Sequence, residues 1–259
     1  MKQNVETLLE GVKSNMSVLA RQRRDWDELA GVDAMWAVLT YSEKKGCWSE
    51  EEFFAHGEEE IAVLMKTLES LGYPKKHETA LDFGCGVGRL TRAMTRRFSR
   101  VFGIDISATM IEAARRYTPS AAFAVNESTQ LPFPDKTFDL VYTRIVLQHL
   151  PSKDLILDYT SELLRVIKEG GIAVFQFPTK ISFLHRIQPR RRVYSALRKL
   201  GVSPSKLFKA NLTPMRMVAI SEKEMDTVVA NANCQLVHVV RNMTEERHQS
   251  STYYVARTR

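Results

Sequence analysis

The chain has 259 residues, 44% of them hydrophobic and 26% charged, which is an ordinary globular composition and argues against disorder along its whole length. Its net charge of +7 permits an anionic partner without requiring one. No apolar run approaches the roughly 18 residues of a membrane span, and Glu6 and Glu10 interrupt the segment where a secretion signal needs an apolar core. Three scattered cysteines without a CxxC pair predict no disulfide framework, no metal site and a cytoplasmic location.

The first 74 residues are predicted to form a helical cap. Apolar side chains recur at helical spacing over residues 4–22, and the aromatic-rich stretch 25–60 predicts several short helices packed on a larger body. A further helix is predicted over residues 58–71, where a glycine and then a proline end it. We therefore expect an N-terminal unit, residues 1–74, lying against the rest of the chain.

From residue 79 the pattern changes to strands that alternate with helices. The strand candidates are TALDF, VFGID, AAFAV, FDLVYT, IAVFQF, QLVHVVRN and STYYVAR. Short strands separated by helices indicate βαβ units and a parallel sheet covered on both faces. Residues 75–259 are therefore predicted to form an α/β core with a doubly wound, mostly parallel, seven-stranded sheet of the Rossmann-like kind. A basic lid insert, residues 178–214, is expected after the fifth strand.

Three alternating glycines, Gly84, Gly86 and Gly88, stand directly behind the first strand. A dinucleotide fingerprint would need a glycine at position 89, and a phosphate loop a glycine followed by a lysine, but the chain has arginine and then leucine there. The spacing, D-x-G-x-G-x-G from Asp82, therefore argues against a pyrophosphate ligand. Two interpretations remain. The turn could lack side chains so that another kind of ligand can lie against its backbone, or it could be a tight strand-to-helix turn with no ligand.

Polar residues also follow the second and third strands. Asp105 ends the second strand, where a carboxylate can accept both hydroxyls of a ribose, and Ser107 is the better cap for the next helix. After the third strand, Glu127 could accept from an exocyclic amine and Ser128 could offer its backbone N–H to a ring nitrogen. The alternative for these two residues is a surface turn. The pattern predicts a nucleoside site at the carboxyl edge of the sheet.

Four segments in this order, ALDFGCGVGRLT, VFGIDIS, the NES–LPFPD–FDLVYT run and LLRVIKEGGIAVF, resemble the class I S-adenosylmethionine-dependent methyltransferases. The likeness is greatest to the group that methylates small molecules and lipids. It covers residues 75–178 firmly and 215–258 loosely. The resemblance implies that S-adenosylmethionine is the cofactor and that methyl transfer to a small metabolite, sugar or lipid-like acceptor is the reaction.

The resemblance also implies the roles of individual residues. Its cofactor-binding positions are Asp82, Gly84, Gly86, Asp105, Ile106, Glu127, Ser128, Thr143 and Arg144. The two glycines would lie under the methionine portion, Asp105 would bind the ribose hydroxyls and Ile106 would pack on the adenine. The family often has Asp-Ala where this chain has Glu127-Ser128. The backbone after the fourth strand, at Thr143 and Arg144, would meet the amino group of the methionine portion.

The acceptor side is less defined. His149 follows the fourth strand on the correct edge of the sheet and is the candidate catalytic base, although its position favours a role in tying the loop to the next helix. Residues 185–209 carry nine His, Arg and Lys residues and no acid. This basic run could cover an anionic acceptor, lie on a membrane surface, contact RNA or be a solvated face. An RNA methyltransferase and a catalytically silent cofactor-binding module are the alternative functions.

Overall fold

The computed structural model describes residues 2–243 and 248–258, with side chains from residue 16 onward. Its strands are β1 (Thr79–Phe83), β2 (Arg100–Asp105), β3 (Ala122–Val125), β4 (Phe138–Thr143), β5 (Ile167–Lys180), β6 (Gln235–Met243) and β7 (Gln249–Ala256). They form one seven-stranded sheet in the order β3-β2-β1-β4-β5-β7-β6. β1 to β5 pair in parallel, and β7 is antiparallel to both β5 and β6. The predicted sheet is confirmed.

Helices cover the sheet and extend beyond it. They are α1 (Lys2–Val38), α2 (Glu50–Leu71), α3 (Arg89–Met94), α4 (Ala108–Tyr117), α5 (Lys153–Arg165), α6 (Phe183–Ile187), α7 (Pro189–Lys199), α8 (Pro204–Lys209) and α9 (Glu222–Asn231). Serine hydroxyls cap the N-termini of α2, α4, α5 and α9. At α4 the Oγ of Ser107 accepts from the N–H of Met110 at 3.1 Å, which confirms the predicted cap.

Two boundaries differ from the prediction. Residues 25–32 continue the long helix α1, which is interrupted by a kink at Asp33, where φ is −159° and ψ is 87°, before helical backbone resumes up to Val38. The Asp33 carboxylate accepts from the N–H of Trp36 and from that of Gly46, which stabilises the kink. β5 begins at Ile167, upstream of the predicted segment IAVFQF, and passes through the Gly170–Gly171 pair. The apolar stripe predicted over residues 4–22 lies for the most part outside the described side chains.

The core fills both faces of the sheet. On one face α5 and α9 bury a cluster that includes Phe138, Phe175 and Tyr253, and on the other α2 and α3 bury Leu68 and Met94. A third cluster joins α1, α2 and α4 through aromatic and aliphatic side chains. α1 is therefore packed onto the body of the protein at the carboxyl edge of the sheet. Among the described residues, no helix combines the length and apolarity that crossing a membrane requires.

Candidate cofactor and acceptor site

A pocket opens at the carboxyl ends of β1, β2 and β4, with about 1070 Å³ of empty space including the solvent at its mouth. Its floor is the glycine turn after β1 together with Asp105 and Ile106 after β2. Its roof comes from α1, through Gln22, Trp26 and Val38. The pocket lies where ligands bind in open α/β sheets, outside the ends of the parallel strands.

The glycine turn carries no side chains at Gly84 and Gly86 because side chains of other segments approach it closely. Gly84 and Gly86 have positive φ, 72° and 54°, and both line the pocket. A Cβ at Gly84 would lie 2.5 Å from Cγ2 of Val146 in the loop after β4, and one at Gly86 would overlap Cγ2 of Val38 in α1. The absence of side chains at the two glycines thus allows α1 and the loop after β4 to approach the turn closely. The sequence alone does not reveal this reason for the glycines.

Asp105 holds the turn from the end of β2. One carboxylate oxygen accepts from the N–H of Gly86 and the other from the N–H of Ser107, both at 2.9 Å. Burial raises the pKa of Asp105, and these N–H groups oppose the rise. Each carboxylate oxygen keeps acceptor capacity beyond its one backbone bond. Asp105 also lines the pocket, so it can accept from hydroxyl groups of a ligand there.

Asp82, at the start of the glycine motif, is buried beneath the turn. Its Oδ2 accepts from the hydroxyl of Thr91 at 2.6 Å. Burial raises its pKa to about 7 despite this bond. Asp82 therefore acts mainly on the underside of the turn, fixing α3 to β1, while part of it reaches the pocket wall.

A charged network forms the wall next to the turn. Glu60 of α2 accepts from Nη2 of Arg89 at 2.9 Å and from the hydroxyl of Tyr142 at 2.9 Å, and it pairs with Arg144 at 3.1 Å. Arg89 is 3% exposed, and its Nε has no hydrogen-bond partner among the described residues. Two arginines share one carboxylate, which leaves an excess positive charge on a pocket wall. Such a wall suits a carboxylate ligand.

The loop after β4 is strained where it meets the pocket. Ile145 has φ of 61°, an uncommon conformation for a β-branched residue. The adjacent Thr143 is 1% exposed, and its hydroxyl has no partner among the described residues. Arg144 and Ile145 both line the pocket. Strain of this kind persists where surrounding structure enforces it, and it concentrates at functional sites.

His149 lies at the junction between this pocket and a smaller cavity under residues 214–216. Its Nδ1 lies 2.6 Å from the carbonyl oxygen of Arg216. Because a carbonyl only accepts, the proton is on Nδ1, and Nε2 carries a lone pair 3.2 Å from Nε2 of Gln148. Burial lowers the pKa of His149 to about 4, so the ring is neutral near pH 7. The ring also packs edge-on against Trp26, 5.5 Å between centroids.

The residues after β3 are arranged differently from the prediction. Glu127 points away from the pocket lining, where Arg23 of α1 pairs with its carboxylate, and about half of its side chain is exposed. Ser128 lies outside the lining too, and its hydroxyl accepts from the N–H of Gln130. Asn126 lines the pocket in their place, with Nδ2 donating to the carbonyl of Ser128 at 2.7 Å.

The basic insert forms α6, α7 and α8 and packs on α1. Glu28 of α1 pairs with Arg198, and it accepts from the hydroxyl of Tyr194 at 3.0 Å. Lys45 donates to the carbonyl of Phe208, whose ring packs edge-on against Trp36 at 5.1 Å. None of residues 183–209 lines the glycine-turn pocket. The insert lies over α1 and reaches the pocket only through that helix.

Several pocket residues have no signal in the sequence. Gln22, Trp26 and Val38 come from a helix that precedes β1 by dozens of positions, and only the folded chain brings them to the turn. Arg89 is adjacent to the glycine motif, where its position could have identified it. The described residues include no cluster of three or more His, Cys, Asp or Glu side chains able to hold a metal ion. Cys47, Cys85 and Cys234 are free thiols.

Comparison with known proteins agrees with this geometry. Residues 81–175 match a family described as "Methyltransferase domain". Over 100 residues, 37% of the chain, it is 40% identical to 2-methyl-6-phytyl-1,4-hydroquinone methyltransferase of Synechocystis sp., and it covers 30% of that protein. It is 32% identical to trans-aconitate 2-methyltransferase of Methylobacterium radiotolerans, covering 47% of this chain and 44% of that one. The chain thus spans less than half the length of these curated relatives.

The fold is shared over almost the whole chain. Magnesium protoporphyrin IX methyltransferase from Synechocystis PCC 6803, solved with bound SAH, superposes with a TM-score of 0.60. It is 17% identical, and the match covers 93% of this chain and 99% of that one. The likeness to this solved structure shows that the chain shares its fold, and the family match places a methyltransferase domain over residues 81–175.

Proposed function

We propose that the chain transfers a methyl group from S-adenosylmethionine to a small organic acceptor. The observation that carries this proposal is the position of Asp105, which lies over the glycine turn on the pocket floor and retains acceptor capacity toward it. The hydroxyls of a ribose at this point would donate hydrogen bonds to the carboxylate. When bound, the cofactor supplies an activated methyl group on its sulfonium.

The residues present fit this cofactor from end to end. Ile106 and Met110 offer apolar contact for the adenine beside Asp105. At the opposite wall, the Nε of Arg89 lacks a partner among the described residues, and Arg144 adds a second positive charge, so a carboxylate tail fits there. Asp82, Gly84, Gly86 and the backbone at Thr143 complete the site. Glu127 and Ser128 would reach the adenine only if the pair between Arg23 and Glu127 opened.

The chain's own part in the reaction is mainly alignment. Holding a nucleophile in line with the transferring methyl can remove roughly 7–11 kcal/mol of barrier. Trp26 and His149 line both the glycine-turn pocket and the cavity under residues 214–216. A neutral His149 with a lone pair on Nε2 can accept a proton from an acceptor hydroxyl, although its low pKa makes it a weak base.

The acceptor class is part of the proposal. The names of the relatives include a hydroquinone and trans-aconitate, which supports a small organic acceptor that is either lipid-like or anionic. The basic insert also leaves RNA as an alternative acceptor, and a silent cofactor-binding module remains the alternative without catalysis. A cytoplasmic location completes the proposal, with support from the free thiols.

Two measurements test the proposal in order. Calorimetry with S-adenosylmethionine and S-adenosylhomocysteine (SAH) should show saturable binding to the purified chain. A radiolabelled methyl-transfer screen should then yield product with metabolite or lipid pools. Product formed only with RNA would replace the small-molecule acceptor by RNA. Binding without product in every pool would support the silent module, and absence of cofactor binding would refute both.

A further inference from the structure

A second cleft, distinct from the glycine-turn pocket, separates α1 from α7. Its walls carry six cationic side chains and two acidic ones, in the following order along the chain: Arg21, Arg24, Asp25, Glu28, Arg191, Arg192, Arg198 and Lys199. Such an excess of positive charge inside a concave surface concentrates anions, because the walls reduce the screening that water provides.

The two acids of the cleft are already engaged. Both carboxylate oxygens of Glu28 face Arg198, and the hydroxyl of Tyr194 donates to one of them. Asp25 lies 4.0 Å from Nη2 of Arg191. Arg21, Arg24, Arg192 and Lys199 have no carboxylate within ion-pair distance among the described residues. Positive charge therefore remains after every internal pair has formed.

The cleft continues toward His149. The small cavity under residues 214–216 shares Asp25 with the cleft, and it shares Gln22, Trp26 and His149 with the glycine-turn pocket. Arg216 lines this cavity with no side-chain partner among the described residues. Burial, and next the charge of Arg191, lower the pKa of Arg216 to about 10, although the charge of Asp25 opposes this shift.

We propose that this cleft and the adjoining cavity under residues 214–216 bind the anionic group of the methyl acceptor, a carboxylate or a phosphate ester of a small molecule, through Arg191 of the cleft and Arg216 of the cavity. The acceptor's reacting atom would then lie at the wall formed by Trp26 and His149, facing the glycine-turn pocket. The inference rests on the proposed function for the reaction, but the anion site itself can be tested without turnover. A small anion is favoured over RNA or a lipid surface because Arg191 and Arg216 are partly buried and lie in two concave sites that meet at Asp25.

Neighbouring arginines in α7 provide a matched control. Arg190 is exposed and lies outside the cleft lining, whereas Arg191 faces Asp25 and donates from Nε to the carbonyl of Pro214 at 3.1 Å. Arg190→Gln and Arg191→Gln therefore change the net charge equally, but only Arg191→Gln removes a charge from the cleft and alters the contacts with Asp25 and Pro214. Arg191→Lys keeps the charge and loses the bond to Pro214, so it separates electrostatic from structural effects.

The experiment is calorimetry of the SAH-loaded protein with citrate, phenyl phosphate and inorganic phosphate as probes. We expect at least one probe to bind saturably, with affinity reduced about tenfold by Arg191→Gln or Arg216→Gln and less than twofold by Arg190→Gln. Arg191→Lys should restore most of the affinity. SAH affinity should be the same in all variants, because none of these side chains lines the glycine-turn pocket.

Other outcomes overturn the inference. Absence of saturable binding for all three probes, or equal weakening by Arg190→Gln and Arg191→Gln, would show that the cleft is only a charged surface. Stronger binding to poly(U) RNA or to phosphatidylglycerol vesicles, equally sensitive to both arginines, would assign the insert to a macromolecular surface. Failure of SAH to bind would refute the proposed function, while the probe titrations of the unloaded protein would still decide the anion site.

Discussion

The two sides of α1 face surroundings of opposite character. One side, through Trp26 and Val38, closes on a turn whose parts are held by backbone hydrogen bonds and close van der Waals contact. The other side, through Arg24 and Glu28, faces α7 across a charged cleft. A site built from backbone and tight packing tolerates almost no change of shape. A site built from solvated charge tolerates most substitutions and responds to salt.

Gly86→Val should have the largest effect, because the new side chain would overlap Val38 where φ is 54°. We expect a loss of about 1–3 kcal/mol in the free energy of unfolding and of more than a hundredfold in SAH affinity. Gly46→Val is the matched control, since φ there is 75° but nothing lies within 4 Å of the added Cβ. Adding Val38→Ala to Gly86→Val should recover part of the stability, as measured by denaturant unfolding. No recovery would mean that contact with α1 does not limit the turn.

Asp105→Ala should have the second-largest effect on SAH affinity. It removes the acceptor for the N–H groups of Gly86 and Ser107 along with the proposed ribose contact. We expect SAH affinity to fall about 10- to 100-fold, corresponding to 1.5–3 kcal/mol for hydrogen bonds to a charged group. Asp27→Ala is the control, because Asp27 accepts from the hydroxyl of Ser107 at 2.6 Å and does not line the pocket. Unchanged affinity in a folded Asp105→Ala protein would sink the ribose assignment.

Two substitutions of His149 distinguish a structural role from a catalytic role. In His149→Asn the amide nitrogen can replace Nδ1 as donor to the carbonyl of Arg216, whereas His149→Gln places its amide nearer the position of Nε2. If the histidine only ties the loop, the Asn variant should keep nearly all methyl transfer and be about 1 kcal/mol more stable than the Gln variant. Equal loss of turnover in both, with cofactor affinity intact, would identify His149 as the base.

The same residue has a defined effect on stability against pH. Its folded pKa, about 4, lies below its ordinary value of 6.5, so between these values the unfolded chain binds a proton that the folded chain does not. The protein should therefore lose stability as the pH falls from about 6.5 to 4. Chemical unfolding of the wild type and of His149→Asn across this range should show a shallower decline in the variant. Parallel curves would contradict the low pKa.

Glu127→Gln should have the smallest effect. Its carboxylate pairs with Arg23 on the surface, and such exposed pairs contribute about 0–1 kcal/mol. We expect SAH affinity to change less than threefold in calorimetry. Asn126→Ala is the comparison. Because Asn126 lines the pocket, this substitution should lower SAH affinity more than Glu127→Gln does. A tenfold loss in Glu127→Gln would show instead that Glu127 leaves Arg23 and binds the adenine.

The sequence predicts the sheet side of the site far better than the α1 side. The strands, the turn at Gly84 and Gly86 and the position of Asp105 follow from local patterns, because βαβ connections bring the strand ends to one edge. The part of the pocket that α1 forms cannot be predicted from local patterns, because the contact between Val38 and Gly86 joins two segments that are distant in the sequence. Glu127 lies outside the pocket lining for the same reason. Its partner, Arg23, is far away in sequence.

The course of α1 has a thermodynamic consequence. The same helix contributes Trp26 to the glycine-turn pocket and Arg24 to the charged cleft, and the carboxylate of the neighbouring Asp27 accepts from the hydroxyl of Ser107. Ligands in the two cavities therefore contact the same helical segment. If a ligand in one cavity changes affinity in the other, linkage requires the converse change by an equal factor. Measuring SAH affinity with and without citrate would give that coupling free energy from either direction.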